Sequence, residues 1–158
     1  MHLAVALTKN MERYEWMLEK ATEIGVDEIT PLLCEYSERR TWKRERAEKI
    51  IVAAMKQSHQ AYLPKLNEPC EFISFTQQFF EGKKLIAHCG VGEKLAITAA
   101  LQHVERALIA IGPEGDFSLN EINTAVEKGY SAITFGENRL RAETAGIVAC
   151  TAMSIINL

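Results

Sequence analysis

The chain has 158 residues, 47% apolar and 25% charged, an ordinary soluble composition long enough for one domain with a sizeable core. No run of about 18 apolar residues offers a membrane span, and the N-terminus lacks the basic stretch and long apolar run of a signal peptide. The formal net charge of −3 argues against a domain that grips nucleic acid by overall charge alone, because phosphate binding rests on lysine and arginine.

Residues 3–7 (LAVAL) read as a buried strand. Residues 11–24 read as a helix with Tyr14, Met17, Leu18 and Ala21 on one face, closed by Gly25. A second strand covers 28–33 (EITPLL), where Pro31 points to an edge position or a bulge. Residues 38–49 carry six basic side chains, Arg39, Arg40, Lys43, Arg44, Arg46 and Lys49, against Glu38, Glu45 and Glu48. A solvated helix start and a contact with an RNA backbone both fit this run. Residues 44–60 read as the second helix, followed by a loop with Pro64, Asn67 and Pro69, a short strand near Phe72 and a short helix near Gln77.

The second half repeats strand, loop and helix. Residues 84–89 (KLIAHC), 106–112 (RALIAIG) and 131–136 (SAITFG) are short β-favouring runs, each ending in or just before glycine. Ser118 and Glu121 match a capping box, which opens a helix running from Leu119 to about Lys128. Residues 143–156 form a last helix that is apolar on nearly every side, as expected of a helix buried in the core or partly by a second subunit. Alternating strands and helices predict an α/β domain with a mostly parallel sheet flanked by helices. Ligands of such sheets sit at the carboxyl ends of the strands, which places the loops after Cys89, Ile111 and Phe135 on one rim. The four cysteines, Cys34, Cys70, Cys89 and Cys150, form no CxxC pair, so no zinc or redox motif is written here and free thiols in a reducing cytoplasm are expected.

Three segments carry chemistry. IGPEGDFS (111–118) is a tight strand-to-helix turn in which Gly112 and Gly115 allow close backbone approach, yet it is neither a P-loop nor GxGxxG. FGENRLRAETAG (135–146) sets Arg139 and Arg141 just before a helix whose start holds Glu143 and Thr144. Capping explains Glu143 and Thr144, whereas two arginines at a helix N-terminus are disfavoured by about 0.3–1 kcal/mol unless something anionic lies nearby. LIAHCG (85–90) offers a lone His88, a residue type more often structural than catalytic.

The pair IGPEGDFSLNEI and FGENRLRAETA resembles the two signature segments of RsmE-type RNA methyltransferases, and EKATEIGVDEITPLL (19–33) and AAMKQS (53–58) resemble that family's early segments. The resemblance spans essentially the whole chain. It implies a SPOUT-type α/β knot with a C-terminal trefoil knot, one of the rare exceptions to unknotted connections. It also implies S-adenosylmethionine as cofactor, uridine N3 of 16S ribosomal RNA within the small ribosomal subunit as substrate, no metal, and a homodimer through the C-terminal helix. Carried over by position, the cofactor would be held by Ala87, His88, Cys89 and Gly90. The second loop would supply Ile111, Gly112, Pro113, Glu114 and Gly115. The third would supply Phe135, Gly136, Asn138, Arg139, Leu140 and Arg141. Arg141 is then expected to stabilise the uridine anion, with Glu143 orienting it or accepting the proton, and Arg39, Arg40, Lys43 and Arg44 to hold flanking phosphates.

The sequence departs from the family pattern at several points. Asp116 stands where a second glycine is common, Gly136-Glu137-Asn138 replaces a more usual glycine-proline pair, and His59 and Gln60 replace a usual glycine and arginine. The family's N-terminal RNA-binding β-barrel domain is not contained in residues 1–158. A SPOUT enzyme acting on transfer RNA and a non-catalytic RNA-binding module are the alternatives; a Rossmann-type nucleotide domain is poorly supported for want of GxGxxG.

Overall fold

A computed structural model describes residues 1–156. The first half runs β1 (His2–Ala6), α1 (Met11–Ile24), β2 (Glu28–Leu33), α2 (Arg44–Gln57), β3 (Lys65–Leu66), β4 (Cys70–Glu71) and α3 (Phe72–Thr76). The second runs β5 (Lys83–Ala87), β6 (Leu95–Ala96), α4 (Ile97–Ala100), β7 (Ala107–Ile111), α5 (Leu119–Glu127), β8 (Ser131–Thr134) and α6 (Ala142–Ile156). The strands form one parallel sheet in the order β3-β2-β1-β7-β5-β8-β6, with β4 pairing β2 beside β3.

The period of two along the central strands builds a core on each face. Leu3, Val5 and Leu7 of the first strand region, with Leu85, Ile109 and Ile133, pack towards α1 and α6. The alternate positions Ala4, Ala6, Ile86, Leu108 and Ala110 meet Phe72, Phe75, Phe117 and Tyr130 on the other face. Strands buried on both faces read as continuous apolar runs, which is why LAVAL and ALIAI lack polar alternation. Each fully buried leucine or isoleucine contributes about 1.5–3 kcal/mol relative to exposure.

Local signals end the elements where the chain must turn. Gly25 caps α1 in the left-handed region at φ 100°, donating its N–H to the carbonyls of Ala21 and Thr22. The capping box of α5 is present in both directions between Ser118 and Glu121. Glu121 is buried, and its second oxygen accepts the N–H of Glu35, tying the loop after β2 to the start of α5. Pro31 lies where β3 and β4 leave a gap: the outer neighbours of β2 pair with residues 28–29 and 32–33 and skip 30–31.

One boundary shifts and one pair of elements is new. The second helix ends at Gln57 rather than residue 60, because Ser58 caps it and His59 turns into the left-handed region at φ 56°. The short strand near Phe72 is β4 and the short helix near Gln77 is α3, which Phe72 opens, burying against Phe117 at a ring-centroid distance of 4.4 Å. The short strand β6 and helix α4 had no local signal, since β6 exists only by pairing with β8. The last helix is buried chiefly through Ala142, Ala145, Gly146, Ala149, Cys150 and Met153, which pack with α1, β1, α4 and β7.

His2 opens β1 in a buried position, with Nε2 2.7 Å from the Thr30 hydroxyl and the ring edge-on to Phe75. Burial pushes its pKa from 6.5 down to about 4, outweighing the nearby Glu28 carboxylate that favours the charged ring. Between those two values the unfolded chain binds a proton that the folded chain refuses, so stability falls as pH drops through this window. Urea denaturation at pH 7 and pH 5 should show a smaller acid-induced loss in His2→Gln than in the wild type. An equal loss would refute this role of His2.

Candidate functional site

The register decides which loops meet. Val5, Ile111, Ala87, Ile133 and Leu95 stand in one row across β1, β7, β5, β8 and β6. The strands therefore end level with one another, and the loops that follow β5, β7 and β8 share one rim. Ile133 is flanked by Ala87 on one side and Leu95 on the other, so the 88–94 connection arches across the carboxyl end of β8.

These loops enclose a cavity of about 590 Å³, within the roughly 300–1,000 Å³ of small-molecule sites. Ala87 lines it from the end of β5, and His88, Cys89 and Lys94 line it from the arch. Ile111, Gly112, Pro113, Glu114 and Asp116 line it after β7. Phe135, Gly136, Glu137, Asn138, Arg139, Leu140 and Arg141 close it together with the last residues of β8 and the first turn of α6. Of the residues expected here, Gly90 and Gly115 are not on the wall. Gly115 lies against Tyr36, where a Cβ would come within 3.0 Å of the tyrosine Cβ, and Gly90 lies against the His88 ring. Lys94, Asp116, Ile133, Thr134 and Glu137 line the cavity without having been singled out as ligand-holding positions. Of these, Asp116 and Glu137 carried a signal, each as part of a departure from the family pattern.

The wall is held by specific contacts. A side chain at Gly112 would be crowded: its Cβ would sit 3.0 Å from the Phe117 ring and 3.1 Å from the Phe117 amide nitrogen. The Glu114 carboxylate accepts the Lys9 N–H at 2.9 Å, and its backbone carbonyl accepts from Arg139 Nη2 at 3.1 Å. Asp116 accepts the Cys89 N–H at 2.7 Å and the Phe117 N–H at 2.9 Å. Lys94 donates to the Gly90 carbonyl across the arch. His88 Nδ1 is buried and has no hydrogen-bond partner among the described residues. Burial pushes the His88 pKa below 6.5, Lys94 lowers it further and Asp116 opposes both.

Charge is mixed at the cavity: Lys94, Arg139 and Arg141 face Glu114, Asp116 and Glu137, over an apolar floor of Ile111, Ile133, Phe135 and Leu140. Such a wall suits a ligand with a planar apolar part and charges of both signs. The Arg141 side chain is exposed on this wall and makes no ion pair among the described residues. Glu143 is buried off the wall, with Oε1 3.9 Å from Arg13 Nε, and forms no ion pair with Arg141.

The basic segment does not enter the cavity. Arg40 pairs with Glu71, Arg44 with Glu48 and Glu68, and Arg46 with Glu15, so much of its charge is matched by acids distant in sequence. Arg39 donates to the Lys9 carbonyl at 3.2 Å, and Arg39, Lys43 and Arg46 line a separate groove of about 460 Å³ against the start of α1. All four cysteines are free. Among the described residues no cluster of His, Cys, Asp or Glu could hold a metal ion, and no helix is long and apolar enough to cross a membrane.

A family model described as an RNA methyltransferase domain matches residues 1–154. A ribosomal RNA small subunit methyltransferase E of Buchnera aphidicola is 29% identical, covering 98% of this chain and 64% of that protein. The crystal structure of a probable rRNA-methyltransferase from Porphyromonas gingivalis superposes with a TM-score of 0.92 at 41% identity, over 98% of this chain and 66% of the other. That of a ribosomal RNA small subunit methyltransferase E from Neisseria gonorrhoeae bound to S-adenosyl methionine gives 0.85 at 29%, over 98% and 65%. The chain thus spans about two thirds of the length of these proteins.

The electrostatics of His88 can be tested directly. In an NMR titration its ring should show a midpoint below the ordinary 6.5, and Lys94→Ala should raise it, because a neighbouring cation disfavours the imidazolium. A midpoint that is unmoved by Lys94→Ala would contradict the geometry of the arch.

Proposed function

The chain belongs to the RNA methyltransferase domain family, and on that premise we propose that it uses S-adenosylmethionine to methylate N3 of a uridine in 16S ribosomal RNA. The observation that carries this reading is the convergence of three strand-end loops on one cavity whose wall combines apolar, cationic and anionic residues. Two features fit that cofactor in particular. Gly112 leaves backbone bare where a side chain would crowd Phe117, and the buried His88 Nδ1 has no hydrogen-bond partner among the described residues. The likeness to proteins named for this activity supports the same reading.

The residues that would hold the cofactor are Ala87 at the end of β5, His88 and Cys89 of the arch, Ile111 to Glu114, and Phe135, Gly136 and Asn138 to Leu140. When bound, it supplies a methyl group on a positively charged sulfur. The protein's part is placement, since reacting atoms must lie about 3–3.5 Å apart in line. Arg141, exposed on the cavity wall and without an ion pair among the described residues, stabilises the uridine ring as N3 gives its proton to solvent water, because the negative charge spreads to the ring carbonyls. Glu143, buried beside Arg13 in the first turn of α6, sets the helix start that presents Arg141. The target base must be unstacked to reach the cavity.

In this reading the four basic residues divide. Arg39 and Lys43, whose side chains carry no acidic partner among the described residues, contact flanking phosphates, while Arg40 and Arg44 hold the loop through Glu71, Glu48 and Glu68. Arg39 lies one residue from the cavity wall through Lys9, whose N–H binds Glu114. The arch of residues 88–94 over β8 is consistent with the knotted path that the family resemblance implies. Action on the small ribosomal subunit implies a cytoplasmic location.

Two experiments test this reading. The first is methyl transfer to small ribosomal subunits from a strain lacking the activity, with the modified base mapped. Arg141→Ala should lower the rate at least about 100-fold while circular dichroism stays native. A near-normal rate in the variant would remove Arg141 from the chemistry, and no binding of S-adenosylmethionine in a calorimetric titration would leave an RNA-binding module. The second concerns assembly. We assign a homodimer through α6, where Ile155 is 62% exposed and Ile147, Val148 and Ala152 are only half-buried. Light scattering should report twice the chain mass at micromolar concentration; a monomer contradicts the assignment.

A further inference from the structure

Asp116 occupies backbone that resists most side chains. Its φ of 69° lies in the left-handed region, where glycine is at ease and aspartate is among the few tolerated alternatives. Both of its carboxylate oxygens are in use. Oδ1 accepts the Phe117 N–H at 2.9 Å, a local bond that fixes the turn. Oδ2 accepts the Cys89 N–H at 2.7 Å, from a loop 27 residues earlier in the chain.

That second bond joins two walls of the cavity. His88 and Cys89 belong to the arch over β8, and Gly112 and Pro113 to the turn after β7. Among the described residues, the Asp116 carboxylate provides the hydrogen bond that crosses between these loops. Hydrogen bonds to a charged acceptor are about twice as strong as neutral ones, and each oxygen here meets one backbone donor.

We propose that Asp116 is a positioning residue, a clasp that holds the arch against the turn after β7 and sets the cavity width for S-adenosylmethionine. The inference rests on the cofactor reading given above. It assigns the aspartate a role that glycine cannot fill, although glycine would relax the backbone.

The two contributions separate by substitution. D116G keeps the left-handed turn and removes both acceptors. D116N keeps the turn and one acceptor oxygen, while its NH2 opposes the remaining N–H. Three readouts are taken on the full chain: the Kd for S-adenosylmethionine by calorimetry, hydrogen exchange of the Cys89 amide, and the thermal midpoint. D116G should raise Kd about ten-fold and speed Cys89 exchange about ten-fold, with a cooperative thermal transition showing that the domain stays folded. D116N should fall between the two proteins. Wild-type Kd or wild-type Cys89 exchange in D116G overturns the proposal. If the wild-type protein itself binds no S-adenosylmethionine, the cofactor reading fails, and Cys89 exchange in D116G then decides the clasp alone: faster exchange upholds it and unchanged exchange overturns it.

Discussion

The organisation of this protein depends on one alignment, the row of residues that runs through Val5, Ile111, Ala87, Ile133 and Leu95 across five parallel strands. A parallel sheet sends all of its strands out on the same side, but it does not by itself make them stop together. Here they stop within a residue or two of the row, and the side chains at Ile111, Ala87 and Ile133 become the floor from which three loops rise. A shift by one residue in any of these pairings would exchange the two faces of a strand buried on both sides. Leu85 would then trade places with Ile86, and Ile109 with Leu108 or Ala110, each packed into a different core. The site is therefore fixed by the same packing that stabilises the fold.

What the loops add is charge in a restrained setting. The wall carries both signs, and most of its groups are already engaged. Glu114 binds Lys9 and Arg139, Asp116 binds two amides, and Lys94 binds the Gly90 carbonyl. Arg141 differs in being exposed and, among the described residues, without such a partner. A cation left free beside a helix N-terminus is unfavourable by itself, and its placement makes sense where charge develops on a substrate. The basic segment after β2 has the opposite character. Its arginines are largely paired at the surface, where such pairs contribute little to stability but do reduce the field available to a phosphate chain.

Much of this was legible in the sequence because the signals were local. Apolar runs with flanking glycines marked the central strands, Ser118 and Glu121 marked the start of α5, and the three glycine-bearing turns marked the rim. What could not be read depended on partners far along the chain. β6 has two residues and no pattern of its own, and Lys94 reaches the wall only because the arch must span β8. The sequence showed six cations between Arg39 and Lys49, but not that Glu15, Glu68 and Glu71 come to meet three of them. The resemblance put Glu143 next to the chemistry by proximity in sequence. Two residues along a helix start amount to a rotation of about 200°, and Glu143 is turned inward towards Arg13 while Arg141 is exposed.

The strand at the far edge of the sheet has a consequence for how the molecule is made. β6 is finished at residue 96, yet the neighbour it pairs with, β8, begins only at residue 131. As the polypeptide leaves the ribosome, β6 has no strand to pair with until about 35 more residues have been added. The order of assembly is thus imposed from the C-terminal side: the inner strands β1, β5 and β7 can join early, and the rim closes last, when β8 slots between a strand already docked and one still waiting.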